Sequence, residues 1–154
     1  MSRLSEKLRT TFSRLVLEWG ISPRFLVNLP LTYKIISKGR DRKASRLIKG
    51  QTYDLSETGI GLLSNCITSD GLHAYFSNDM ISSTELEIML ELPEKTVTMV
   101  GETCRYQKVE TKRLSDYTYL MGVKIVSMSE EDKKIYQKYI TTLRRDPERR
   151  SPRY

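Results

Sequence analysis

The chain has 154 residues, 29% of them charged and 38% hydrophobic, which suits one soluble domain with a modest core. Its formal net charge of +7 points to an anionic partner without choosing one, and no apolar run approaches the about eighteen residues that a membrane span needs. Two cysteines without CxxC spacing and a single histidine argue against a zinc site or a disulfide scaffold.

The N-terminus, Met1 to Lys7, lacks the apolar block and cleavage site of a signal peptide, so a cytoplasmic protein is expected. Leu4, Leu8, Phe12, Leu15 and Trp19 recur at helical steps and predict an amphipathic helix over residues 3 to 19, ended by Gly20. Such a helix packs on its own domain, on a second copy, or on a partner or membrane surface. Residues 1 to 23 are therefore read as a helix with its connector.

Val27 to Ile36 reads as a strand, with Pro30 implying an edge or a bulge. The loop Lys38 to Arg46 carries five basic residues against one acid, and Leu47 to Tyr53 returns as the second strand. Further strands are expected near Gly61 to Ile67, Leu72 to Phe76, Thr84 to Leu92, Val97 to Val109 and Tyr117 to Met128. The alternation is cleanest where Leu86, Ile88, Leu90 and Leu92 oppose Glu85, Glu87 and Glu91. Ser129-Glu130-Glu131-Asp132 then resembles a capping box, followed by an apolar stripe of Ile135, Tyr139, Ile140 and Leu143. These elements predict a mainly β fold: a small antiparallel β-barrel of about six to seven strands with an N-terminal and a C-terminal helix. The tail from 144 to 154 carries five basic residues against two acids, contains two prolines, and is expected to be disordered.

Between the second and third strands lies Asp54-Leu55-Ser56-Glu57-Thr58-Gly59-Ile60-Gly61, read as a polar turn. Asp, Ser and Gly supply a carboxylate acceptor, a hydroxyl and a backbone open to close approach, and the same residues are what ordinary turns use. Asp54-x-Ser56-x-x-Gly59, preceded by Arg24 before the VNLPLTY strand, resembles the [DN]xSxxG motif of the PilZ domain family, the bacterial module that binds cyclic di-GMP. Thr84-Glu85-Leu86-Glu87-Ile88, Val100-Gly101-Glu102 and Leu120 to Ile125 running into Ser129 extend the resemblance over residues 24 to 143. It implies a cyclic di-GMP site formed by Arg24, Asp54, Ser56 and Gly59, with no cofactor or metal.

The family pairs that motif with an upstream RxxxR, and counting back from Arg24 places the first arginine at Gly20. A literal RxxxR runs from Arg42 to Arg46. If the first two strands form a hairpin, Asp54 returns beside roughly Val27 or Asn28, close to Arg24. Arg46 lies up to roughly 26 Å from Asp54, at about 3.3 Å per residue of extended strand.

Three functions fit this sequence. A non-catalytic cyclic di-GMP receptor would relay the messenger to a protein partner. A PilZ-fold interaction module would have lost the nucleotide with Gly20. A basic barrel would bind RNA or single-stranded DNA, but the nine Tyr and three Phe form no stacking cluster on any strand, so a nucleic-acid partner is not expected. No nucleophile-base pair can be assembled from the spacing, and lone His73 is read as structural, so no enzyme is expected.

Overall fold

The computed structural model describes residues 23–37, 42–75, 84–109 and 117–150. The helix expected over residues 3 to 19 lies outside them. Alternation of apolar and polar residues builds the described chain into nine strands, with one helix at its end. The strands are β1 (Phe25–Leu26), β2 (Pro30–Ser37), β3 (Ile48–Leu55), β4 (Gly59–Ser64), β5 (Thr68–Ser69), β6 (Leu72–His73), β7 (Thr84–Glu91), β8 (Thr96–Lys108) and β9 (Tyr119–Met128). Helix α1 spans Glu130–Arg144, and a short 3-10 turn spans Pro147–Arg149.

Six strands close a barrel in the order β3-β2-β7-β8-β9-β4, with β4 pairing back onto β3, and β1 adds a seventh beside β3. Every pairing is antiparallel. Closure satisfies the strand edges that an open sheet would leave unpaired. Leu31, Tyr33 and Ile35 from β2 meet Leu86, Ile88 and Leu90 from β7 in the interior, joined by Ile60, Leu62, Val97, Met99 and Met121. The charged residues of β7 lie on its other face, as the period of two requires.

The first expected strand, Val27 to Ile36, starts later than the pattern implies and is preceded by a separate short strand. Pro30 opens β2, where it faces Gln51, while Phe25 and Leu26 pair separately with Leu55 and Asp54. Between them the side chain of Thr52 adds to the backbone bonds of Val27 to Tyr53 and Thr52 to Leu29: its Oγ1 accepts from the Leu29 N–H at 2.8 Å and donates to the Val27 carbonyl at 2.5 Å. The next strand starts at Gly59 and stops at Ser64, earlier at both ends than the sequence pattern predicts, because Gly59 already pairs with Lys124 of β9.

Helix α1 closes one end of the barrel. Ser129 caps it, its Oγ accepting from the Asp132 N–H at 3.2 Å, with three acids in the first turn where the helix dipole favours them. Asp132 in turn accepts from the Thr98 N–H at 3.0 Å, and Lys95 reaches both Glu131 and Asp132 at 3.3 Å. The fully buried side chains are Tyr136, Ile140 and Leu143, with Ile135 and Tyr139 packed partly against the core. The buried stripe is thus turned towards Tyr136 relative to the pattern Ile135, Tyr139, Ile140, Leu143.

The tail expected to be disordered from residue 144 is instead folded through Arg150. Asp146 caps the 3-10 turn by accepting from the Glu148 N–H, and Arg150 bridges to Phe25 of β1. That contact gives the segment a partner that composition does not reveal.

Candidate functional site

The site is created by a register shift. Thr52 faces Leu62 across β3 and β4, but Tyr53 is an extra residue, and pairing resumes with Asp54 opposite Gly61 and Leu55 opposite Ile60. Thr52 and Leu62 point into the barrel, and so do Leu55 and Ile60. Asp54 is thereby turned onto the other face, the usual effect of a bulge on the side chain that follows it. The expected polar turn is correspondingly shorter: Asp54 and Leu55 belong to β3, and only 56 to 58 connect it to β4.

Gly61 makes room for the carboxylate, since an added Cβ there would collide with Asp54 Oδ1. On the opposite edge of β3, β1 places Leu26 beside Asp54, one position before the expected Val27 or Asn28. Arg24, on the same face as Leu26, lays its guanidinium over the carboxylate with Nη2 3.0 Å from Oδ1. Asp54 is fully buried while Arg24 keeps 24% of its side chain exposed, so the arginine supplies what accessible surface the pair has. A buried carboxylate needs such a partner, because desolvating an unpaired charge costs several kcal/mol.

Ser56 holds the turn. Its Oγ accepts from the Gly59 N–H at 3.0 Å and the Thr58 N–H at 3.3 Å, and its own N–H donates to the Gly59 carbonyl at 2.9 Å. A Cβ on Gly59 would lie 2.9 Å from the Val123 carbonyl and 3.5 Å from Arg24 Nη1. The four residues Arg24, Asp54, Ser56 and Gly59 are thus gathered at one place, Ser56 with its hydroxyl turned inward and Gly59 beneath the guanidinium. Arg46 is elsewhere: its backbone N–H and guanidinium both engage Asp70, and its side chain is 77% exposed.

Three contributors were not singled out by sequence reasoning. Tyr136 donates its hydroxyl to the Ser56 carbonyl at 2.6 Å in a fully buried setting, joining α1 to the turn. Burial holds this hydroxyl protonated well above the usual tyrosine range; Arg24 opposes that effect, while Asp54 and Glu57 reinforce it. Arg144, at the end of α1, pairs with Glu57 inside the turn, and Arg149 donates from Nη1 to the Leu26 carbonyl at 3.4 Å. The available signal was the spacing Tyr136, Ile140, Leu143, which is as helical as the stripe that was read. The two arginines carried no signal, because their partners are 87 and 123 residues away in the chain.

His73 accepts from the Tyr75 N–H through Nδ1 and lies 5.6 Å from the Tyr106 ring. Among the described residues, no group of three or more His, Cys, Asp or Glu could hold a metal ion. Among them too, no helix is long and apolar enough to cross a membrane.

Residues 21–142 match the family profile described as the PilZ domain. Among solved structures, the chain is similar to the Bacillus subtilis inhibitor of motility MotI/DgrA, at 14% identity and a TM-score of 0.51, over 81% of this chain and 50% of that one. It therefore spans half the length of that protein, and at this identity the likeness is one of fold. It also resembles the PilZ domain with c-di-GMP of YcgR from Escherichia coli, at 15% identity and a TM-score of 0.44, over 77% of this chain and 91% of that one. A third likeness is to MrkH, described as a c-di-GMP-dependent transcription regulatory factor, at 11% identity and a TM-score of 0.49, over 80% and 50% of the two chains. No curated protein matches the sequence.

Proposed function

The chain belongs to the PilZ domain family, and from that membership we propose that it is a non-catalytic cyclic di-GMP receptor that relays the messenger to a protein partner. The observation that carries this reading is the Arg24 guanidinium lying over Asp54 and Gly59, on a side chain that stays partly exposed. A guanidinium pairs bidentately with phosphate or with guanine O6 and N7, and it stacks on a purine. Asp54, buried beneath Arg24, holds the guanidinium in position for a ligand, while Gly61 leaves room for the carboxylate and Gly59 for the guanidinium. Ser56 acts by fixing the turn, since its hydroxyl is engaged with Thr58 and Gly59.

Ligand titration with a thermal-shift readout tests this. At one hundred times the dissociation constant, binding adds about 2.7 kcal/mol of stability. Asp54→Asn, which keeps the shape and removes the charge, is expected to abolish the shift, and Arg42→Ala to leave it intact. No shift for the unaltered chain at millimolar ligand overturns the proposal.

The second reading, an interaction module without nucleotide, is favoured by Gly20 and by Arg24 already having Asp54 as its partner. Recovery of one protein partner in equal amounts with and without nucleotide, together with a null titration, selects it.

A further inference from the structure

Each phosphodiester of a cyclic dinucleotide carries one negative charge, and a carboxylate lies at the centre of the site. Arg24 is matched by Asp54, and Arg144 is matched by Glu57. These two pairs bring no net positive charge to an incoming phosphate. Among the described residues, Arg149, from the far end of the chain, brings a further guanidinium to this neighbourhood. Its Nη1 meets the carbonyl of Leu26, the β1 residue paired directly with Asp54. That places it one strand spacing, about 5 Å, plus hydrogen-bond reach from the Asp54 backbone. It also stands near α1, where its charge opposes the upward push of burial on the Tyr139 hydroxyl.

We propose that Arg149 is a second phosphate-binding guanidinium of this site, supplied by the C-terminal segment where position 20 offers none. The proposal rests on the cyclic di-GMP reading above.

The backbone that carries this side chain is held in place before any ligand arrives. The 3-10 turn that carries it is capped by Asp146, and the backbone of Arg150 bridges to Phe25. Preorganisation of this kind lowers the ordering cost of binding. The side chain is also free to exchange partners. Its ion pair with Asp146, Nε to Oδ2 at 3.4 Å, has both side chains nearly half exposed, a setting in which such pairs contribute little. Asp146 keeps its capping bond from the Glu148 N–H at 3.1 Å when Arg149 turns away. A phosphate at this point would therefore replace a weak contact with a charge-assisted one.

The test is calorimetric titration of the full chain with cyclic di-GMP, in parallel with Arg149→Gln and Arg149→Lys. Gln retains a donor for the Leu26 carbonyl and removes the charge; Lys retains the charge. Arg149→Gln is expected to weaken binding about ten- to a hundredfold, the worth of one hydrogen bond to a charged group, and Arg149→Lys by less than about tenfold. Binding by Arg149→Gln within about twofold of the unaltered chain overturns the inference and leaves the receptor reading intact. Equal weakening by Gln and Lys overturns it as well, because the loss then comes from packing of the turn rather than from charge. An unaltered chain that binds nothing removes the receptor reading and this inference together.

Discussion

Gly61 faces Asp54 across the bulge of β3, and a methyl group there would occupy the space of Oδ1. Neither neighbour yields easily, because the carboxylate is fully buried against Arg24. Gly61→Ala is therefore expected to destabilise the fold by about 1–3 kcal/mol, the usual range for overpacking, and to displace Asp54 from Arg24. Urea unfolding measures the first effect and nucleotide titration the second; unchanged values in both would mean that the strand relaxes around the methyl. Tyr136 is the opposite case, a residue valued for what it adds. Tyr136→Phe keeps the ring and removes the donor to the Ser56 carbonyl, leaving a buried acceptor short of a partner. A loss of about 1–3 kcal/mol in urea unfolding is expected.

At the scale of elements, the strands that follow a strict period of two were the most legible. Thr84 to Glu91 emerges almost as read because Leu86, Ile88 and Leu90 have one face to themselves. The breaks were not legible, since each depends on a distant residue. Thr52 bonds Val27 and Leu29 between β1 and β2, where the register on β3 slips by one residue, and Tyr53 shifts the register relative to β4. Asp54, Ser56, Gly59 and Arg24 could be picked out by motif, but the bulge that aims Asp54 and the arginines of the C-terminal segment belong to tertiary structure. The same holds for Tyr33 of β2, whose hydroxyl meets Ser64 Oγ and the Cys66 carbonyl, each at 2.7 Å, and so ties its strand to the end of β4. Burial lifts its pKa from 10.0 to about 12, against the opposing effect of the Ser64 bond. Above pH 10 the unfolded tyrosine ionises while the folded one stays protonated. Stability present below the unfolded value is therefore lost as pH rises towards the folded one. The unaltered chain is expected to lose on the order of 3 kcal/mol more than Tyr33→Phe between pH 10 and 12. Tyr136, also raised, is present in both proteins and cancels in the comparison. Parallel unfolding curves across that range would contradict this assignment.

For the molecule as a whole, the barrel and the site differ in how they are held. Six strands are paired along both edges and share one core, whereas β1 has two residues, paired with β3 on one side and bridged by Arg150 on the other. The 3-10 turn beside it buries no residue of its own. Removing residues 147 to 154 should therefore leave the core packing intact while taking away one edge of β1 and the contact between Arg149 and Leu26. Local opening draws on elements with few buried contacts, so the amides of Phe25 to Val27 are expected to exchange faster in the truncated chain. Those of β7 and β8 should keep their protection. Hydrogen exchange followed by NMR resolves the two sets directly. Uniform loss of protection across all strands would instead mean that the C-terminal segment belongs to the global folding unit. A confined effect would place β1 and the C-terminal segment at the low-stability end of an otherwise rigid barrel. A ligand held by Arg24 on one side of β1 and Arg149 on the other would then act where ordering is least costly to change, and the resulting change in surface would be available to a partner.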